Sequence, residues 1–121
     1  MSSTQRARRE LGARAESLVC DLLIARGFAI AGRNVRVGAK ELDIIATRGA
    51  LVVFCEVRAR SRAGFIAPLE TFDRAKTARI REAARRWLHE RGLRGVAVRF
   101  DAAGVVFDRP EGAIEYVEGA F

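Results

Sequence analysis

The chain has a single histidine, a single tryptophan, a single tyrosine and two cysteines among 121 residues. With no second histidine, His89 cannot anchor a zinc site, and no serine or cysteine has a plausible base nearby. Cys20 and Cys55 stand in apolar contexts without metal-type spacing. They read as reduced core thiols of a cytoplasmic protein, with a disulfide as the alternative. No apolar run approaches the roughly 20 residues of a membrane span. The polar start Met-Ser-Ser-Thr-Gln-Arg does not look like a signal peptide. A cytoplasmic protein with no membrane partner is therefore the expectation. A glycine-rich phosphate loop ending in Lys-Ser/Thr is also missing. Acidic residues are the last shortage: 15 against 22 basic ones, giving a net charge of +7 and a pI near 10.9. Such a balance points to a polyanion, nucleic acid first. The bland alternative is arginine spread over every solvated face.

What is present fits one ordered domain. Half the residues are hydrophobic and 31% are charged, the composition of a folded protein. A chain of this length buries roughly two-thirds of its unfolded surface. Residues 4–26 read as a helix, with Leu11, Ala15, Leu18, Leu22 and Ala25 at helical spacing and Val19 and Leu23 widening the stripe. Glu16 shares an edge of that stripe with Val19, Cys20 and Leu23. By periodicity alone it reads either as a half-exposed partner of an arginine or as an inward-facing acid. A short strand begins at Phe28–Ile30 and runs toward Asn34. Residues 33–40 follow as a basic connection, with Asn34 and Gly38 as turn formers.

Residues 40–62 form the stretch around which the chain is organised. Two apolar strands carry Asp43 in the first and Glu56 in the second, where an unpaired carboxylate is costly. With Arg48-Gly49 as a two-residue turn, Asp43 faces Phe54 and Ile45 faces Val52. Alternation then puts Asp43, Glu56 and Arg58 on one face, with the acids as diagonal neighbours about 7–8 Å apart between backbones. Any even-length turn keeps that parity. Both faces of the strands are apolar, so the sheet should be covered by helices on both sides.

A second helix is expected from about Pro68 to Arg91, with Phe72, Ile80, Ala83, Ala84, Trp87 and Leu88 inward. Lys76 falls within that face, either snorkelling or aimed at buried carboxylates or a phosphate. Residues 95–101 alternate as a strand ending at Asp101, which reads as a cap or ion-pair partner. Short strands at 104–107 and 114–117 pair across Pro110-Glu111-Gly112. Trp87 reads as core and His89 as surface. The chain has no internal repeats.

Asp43, Glu56 and a basic residue two positions on form a chemically coherent set. Hard oxygen ligands suit Mg²⁺ or Mn²⁺, which would polarise a phosphodiester and lower the pKa of an attacking water. The nearby cation would offset charge on the phosphate. Arg33, Arg36, Lys40, Arg60 and Arg62, close in sequence to the acids, are candidate contacts to nucleic acid. A solvated loop is their simpler reading.

Glu41-Leu42-Asp43-Ile44-Ile45-Ala46 and Val53-Phe54-Cys55-Glu56-Val57-Arg58-Ala59-Arg60 resemble the G-E-I-D-L-I-A and V-F-V-E-V-K-x-R motifs of the bacterial YraN family. That family is similar to PD-(D/E)XK nucleases, archaeal Holliday junction resolvases in particular. The resemblance runs nearly end to end: residues 11–16 resemble its G-x-x-G-E opening, and Asn34-Val35-Arg36 its N-x-R. Residues 65–70 with Lys76 resemble F-G-x-P-x-E and its following K, Arg99-Phe100-Asp101 its R-F-D, and Ala120-Phe121 its A-F. It implies a three-layer α/β/α, restriction-endonuclease-like core around a mixed sheet, and a third acid at Glu16. Glu16, Asp43 and Glu56 would hold the metal, Arg58 would contact the scissile phosphate, and Lys76 would support it. Resolvase-like folds often act as dimers, so a homodimer is a further expectation.

Two departures stand out. Ala15 and Lys40 occupy positions where the family usually has glycine, and Arg58 occupies the nuclease lysine position. A guanidinium can hold a phosphate but cannot serve as a base. The sequence thus supports a Mg²⁺-dependent endonuclease-like protein acting on DNA, branched DNA included. The alternatives are a nuclease-fold DNA-binding or DNA-processing accessory protein without turnover, and a protein-interaction scaffold.

Overall fold

The computed structural model describes residues 2–60 and 73–121. Helix α1 (Ser3–Ala25) leads into strands β1 (Ala29–Val37), β2 (Lys40–Arg48) and β3 (Leu51–Arg60), followed by helix α2 (Arg74–Glu90) and strands β4 (Ala97–Val106) and β5 (Ala113–Val117). The strands form one sheet in chain order. Only the β3–β4 pair, joined through α2, is parallel; the other pairs are antiparallel. Each helix covers one face, which gives the expected α/β/α layering. Ile44, Val53, Cys55 and Val105 pack with α1 residues Ala15, Val19 and Leu23. Ile45, Val52 and Phe54 pack with Ile80, Ala83, Ala84 and Trp87 of α2. Among the described residues, no helix is long and apolar enough to cross a membrane.

Ser2 starts α1 with a capping box: its hydroxyl accepts from the Gln5 amide while the Gln5 side chain accepts from the Ser2 amide, satisfying two otherwise orphaned donors. The buried face is Ala15, Val19, Cys20 and Leu23, whereas Leu18 and Leu22 are half-buried and Ala25 is exposed. The core-facing stripe is therefore rotated toward the edge that carries Glu16.

Several boundaries differ from the sequence expectation. The basic connection at 33–40 is mostly strand: β1 runs to Val37 as an edge partner of β2, and Gly38-Ala39 is the turn. One side of an edge strand faces water, so charges did not stop it. The β2–β3 turn is Gly49-Ala50, not Arg48-Gly49, so Ile45 faces Phe54 and Arg48 faces Leu51. Gly49 takes φ +58°, the left-handed conformation that glycine tolerates. The register moves by two residues and parity survives. Helix α2 begins at Arg74, with the Asp73 carboxylate accepting from the Lys76 amide at 2.7 Å as N-cap; the expected start at Pro68 lies outside the described residues. The strand expected to end at Asp101 continues to Val106 and absorbs residues 104–106, and this part pairs with β5 as expected. Asp101 therefore sits buried in mid-strand. It binds Arg99 through both carboxylate oxygens, accepts from the Tyr116 hydroxyl at 2.5 Å and accepts from the Gly119 amide at 2.9 Å. Trp87 is core, His89 is exposed, and Cys20 and Cys55 are buried free thiols.

Candidate functional site

Asp43 and Glu56 meet where the β2–β3 ladder ends. Its last register pair is Ile44 with Cys55, so the next positions are these two acids. They are held by crossed hydrogen bonds: the Asp43 amide donates to Glu56 Oε2 at 3.2 Å, and the Val57 amide donates to Asp43 Oδ2 at 2.8 Å. Each carboxylate thus caps backbone that the ladder leaves unpaired. Leu42 and Ile45 both pack on the α2 side although three residues apart. Strict alternation forbids that, so β2 is locally irregular at Asp43. Across the sheet on β1, Asn34 has φ +53°.

The electrostatics oppose two negative charges here. Glu56 is 2% exposed; burial first, and then the charge of Asp43, push its carboxyl up to about 7. Burial also raises Asp43, offset in part by the Val57 amide and by the charges of Lys40 and Arg58. Lys40 supplies the compensating charge, its Nζ lying 3.5 Å from Glu56 Oε1.

Glu16 approaches from α1. Its Oε1 accepts from Asn34 Nδ2 at 3.1 Å and lies 3.5 Å from Arg33 Nε. Burial is the main cause of its raised pKa, to which the charge of Asp43 adds. It lines a cleft of about 500 Å³ with Arg9, Glu10, Asn34 and Glu41. Among the described residues, no three His, Cys, Asp or Glu side chains are grouped so as to hold a metal ion. Glu16 is engaged by Asn34 and Arg33, and Glu56 by Lys40 and the Asp43 amide. The Asp43–Glu56 pair still has the chemistry of a hard-cation site, a buried and a half-buried carboxylate whose mutual repulsion a divalent ion would relieve.

The basic candidates separate. Arg58 is half-buried on β3, two residues after Glu56, and its Nη1 lies 3.5 Å from the Val57 carbonyl. Lys76 is half-buried on the first turn of α2. Arg33 is tied to α1 through Glu16 and through the Ala13 carbonyl, to which it donates at 2.7 Å. Arg36 and Arg60 are exposed on β1 and at the end of β3; Arg62 lies outside the described residues. Two residues gain roles that sequence reasoning missed. Asn34 reads as a turn former but donates to Glu16, and Lys40, read as a loop charge or a contact to nucleic acid, pairs with Glu56.

These features define an α/β/α protein whose central hairpin carries a hydrogen-bonded carboxylate pair, buried at Glu56 and half-buried at Asp43. The family model "Uncharacterised protein family UPF0102" matches residues 15–105. A UPF0102 protein of Moorella thermoacetica is 40% identical over the whole of both chains. One from Acidothermus cellulolyticus is 39% identical, also over both full lengths. One from Sorangium cellulosum is 42% identical over 95% of this chain and 83% of its own. The chain belongs to the UPF0102 family, the YraN family of the sequence motifs.

Proposed function

We propose that this protein is a Mg²⁺- or Mn²⁺-dependent, endonuclease-like protein that acts on DNA, branched DNA included. The observation that carries the reading is the crossed Asp43–Glu56 pair on adjacent strands, Glu56 buried and Asp43 half-buried, with its charge only partly compensated. A fold selected for stability alone gains little from such a pair. Asp43 and Glu56 would hold the ion, and Glu16 would join them after releasing Asn34. When bound, the ion would polarise the phosphodiester and activate a water. The Val57 and Asp43 amides fix the orientation of both carboxylates. Arg58 follows Glu56 by two residues, so strand alternation directs it to the same face. There it would hold the scissile phosphate, with Lys76 in support. The proton of the attacking water would pass to a carboxylate or to solvent, since a guanidinium cannot take it.

A second reading, a nuclease-fold DNA-binding accessory protein without turnover, is favoured by one ion pair: Lys40 already occupies Glu56 Oε1, 3.5 Å away. The test is a Mg²⁺ and Mn²⁺ titration of cleavage on duplex, single-stranded and junction DNA, with wild type beside Asp43→Ala. Metal-dependent cutting that disappears in the variant is expected. No cutting of any substrate by wild type, with salt-sensitive binding retained when Asp43 and Glu56 are neutralised, establishes the accessory reading instead.

A further inference from the structure

Beside the carboxylate pair, between the β1–β2 hairpin and α2, lies a groove of about 270 Å³ lined by Val37, Lys40, Arg79, Glu82, Ala83 and Arg86. Positions 76, 79, 83 and 86 follow one ridge of α2, and the small Ala83 leaves a gap between the two arginines. Arg86 Nη1 lies 2.8 Å from where a Cβ on Gly38 would stand, so its guanidinium covers the hairpin turn. Its pairing with Glu90 is long, 3.6 Å, and both side chains are more than half exposed, a weak competitor for a ligand. The Glu82 carboxylate is taken by Arg85. Lys40 belongs to both places: it lines the groove and its Nζ pairs with Glu56.

We propose that this groove binds a phosphate of a nucleic-acid strand, and that Lys40 passes from Glu56 to that phosphate, so that strand and divalent cation bind with positive coupling. The proposal rests on the reading of the carboxylate pair given above. The donors suit the ligand: two guanidinium forks and an ammonium match the acceptor oxygens of a phosphodiester. Lys40 is one quarter exposed and flexible, so it can change partners without moving backbone. While it sits on Glu56 it repels an incoming cation; once it is drawn into the groove, the pair opens to one. Linkage makes the effect reciprocal: a cation that displaces Lys40 adds a charge to the groove. An acidic protein segment could satisfy the same cations, and the strand titration decides between the two.

The full chain is titrated with Mn²⁺, followed by loss of the free-ion electron paramagnetic resonance signal. It is also titrated with a short phosphorothioate oligodeoxynucleotide, which resists cutting, followed by fluorescence anisotropy. Arg79→Ala combined with Arg86→Ala should weaken strand binding and flatten its salt dependence by about 0.7 in log–log slope for each phosphate no longer neutralised. Lys40→Met, with Lys40→Gln as a second variant, should bind Mn²⁺ about fivefold or more tightly in the absence of strand. It should also lose the strand-induced tightening shown by wild type. Unchanged strand affinity and slope in the double arginine variant overturn the groove. Mn²⁺ affinity equal to wild type in both Lys40 variants overturns the coupling. If no form binds Mn²⁺, the reading of the carboxylate pair fails and the coupling with it, while the arginine variant still decides the groove.

Discussion

Glu56 sits where its charge is opposed twice, by burial and by Asp43. Its folded pKa, about 7, lies above the ordinary 4.5, so the folded state holds this proton more tightly than the unfolded state does. Stability is therefore lost as pH rises from about 4.5 to about 7, and the cost is fully present above that. The expected loss is on the order of 3 kcal/mol. Glu56→Gln keeps an acceptor for the Asp43 amide and removes the charge. Urea unfolding across this pH range should show wild type losing stability relative to the glutamine variant; parallel curves would mean that the charge is already fully compensated. Of the residues at this site, Asp43 and Glu56 were legible as acids close together on adjacent strands, which a two-residue change of register preserves, whereas the irregularity of β2 at Asp43 was not. Lys40 and Asn34 were not: a lysine's reach to a carboxylate 16 positions away, or an amide's reach from an edge strand to a helix, leaves no local periodic trace.

At the level of elements, α1, the hairpin and the covered sheet follow from hydrophobic periodicity, which long-range packing reinforces. Edges escape it. β1 is charged because one side faces water, and β4 runs through Gly104 because pairing on both sides holds it. The Asp73 cap fixes the start of α2, and Asp73→Ala should cost about 1 kcal/mol in denaturant unfolding; no change would show that the helix is held by packing alone. Asp101 ties β4 to β5 and to the chain end, where the Ala120 amide donates to the Phe100 carbonyl at 2.7 Å. Removing it takes away the bidentate partner of Arg99, which keeps Glu118 at 3.2 Å, and the carboxylate that accepts from the Tyr116 hydroxyl. Asp101→Ala should lose roughly 1–3 kcal/mol, and a variant with the stability of wild type would show that the cluster is solvated.

At the scale of the whole molecule, a net charge of +7 surrounds a site that is itself acidic. Under the proposed function, that arrangement would draw a polyanion in while reserving one point for a cation. Nucleic-acid affinity should fall steeply with salt, the log–log slope counting the phosphates neutralised; a flat profile in an anisotropy titration would remove the electrostatic basis for a nucleic-acid partner. The role proposed for the Asp43–Glu56 pair is that of a divalent-cation site. It is tested most directly by the thermal unfolding midpoint at neutral pH, with and without Mg²⁺ or Mn²⁺, for wild type and for Asp43→Asn combined with Glu56→Gln. Binding to the folded state alone raises the midpoint. Wild type should rise with added ion and the double variant should not; an equal response, or none in wild type at saturating ion, contradicts the claim.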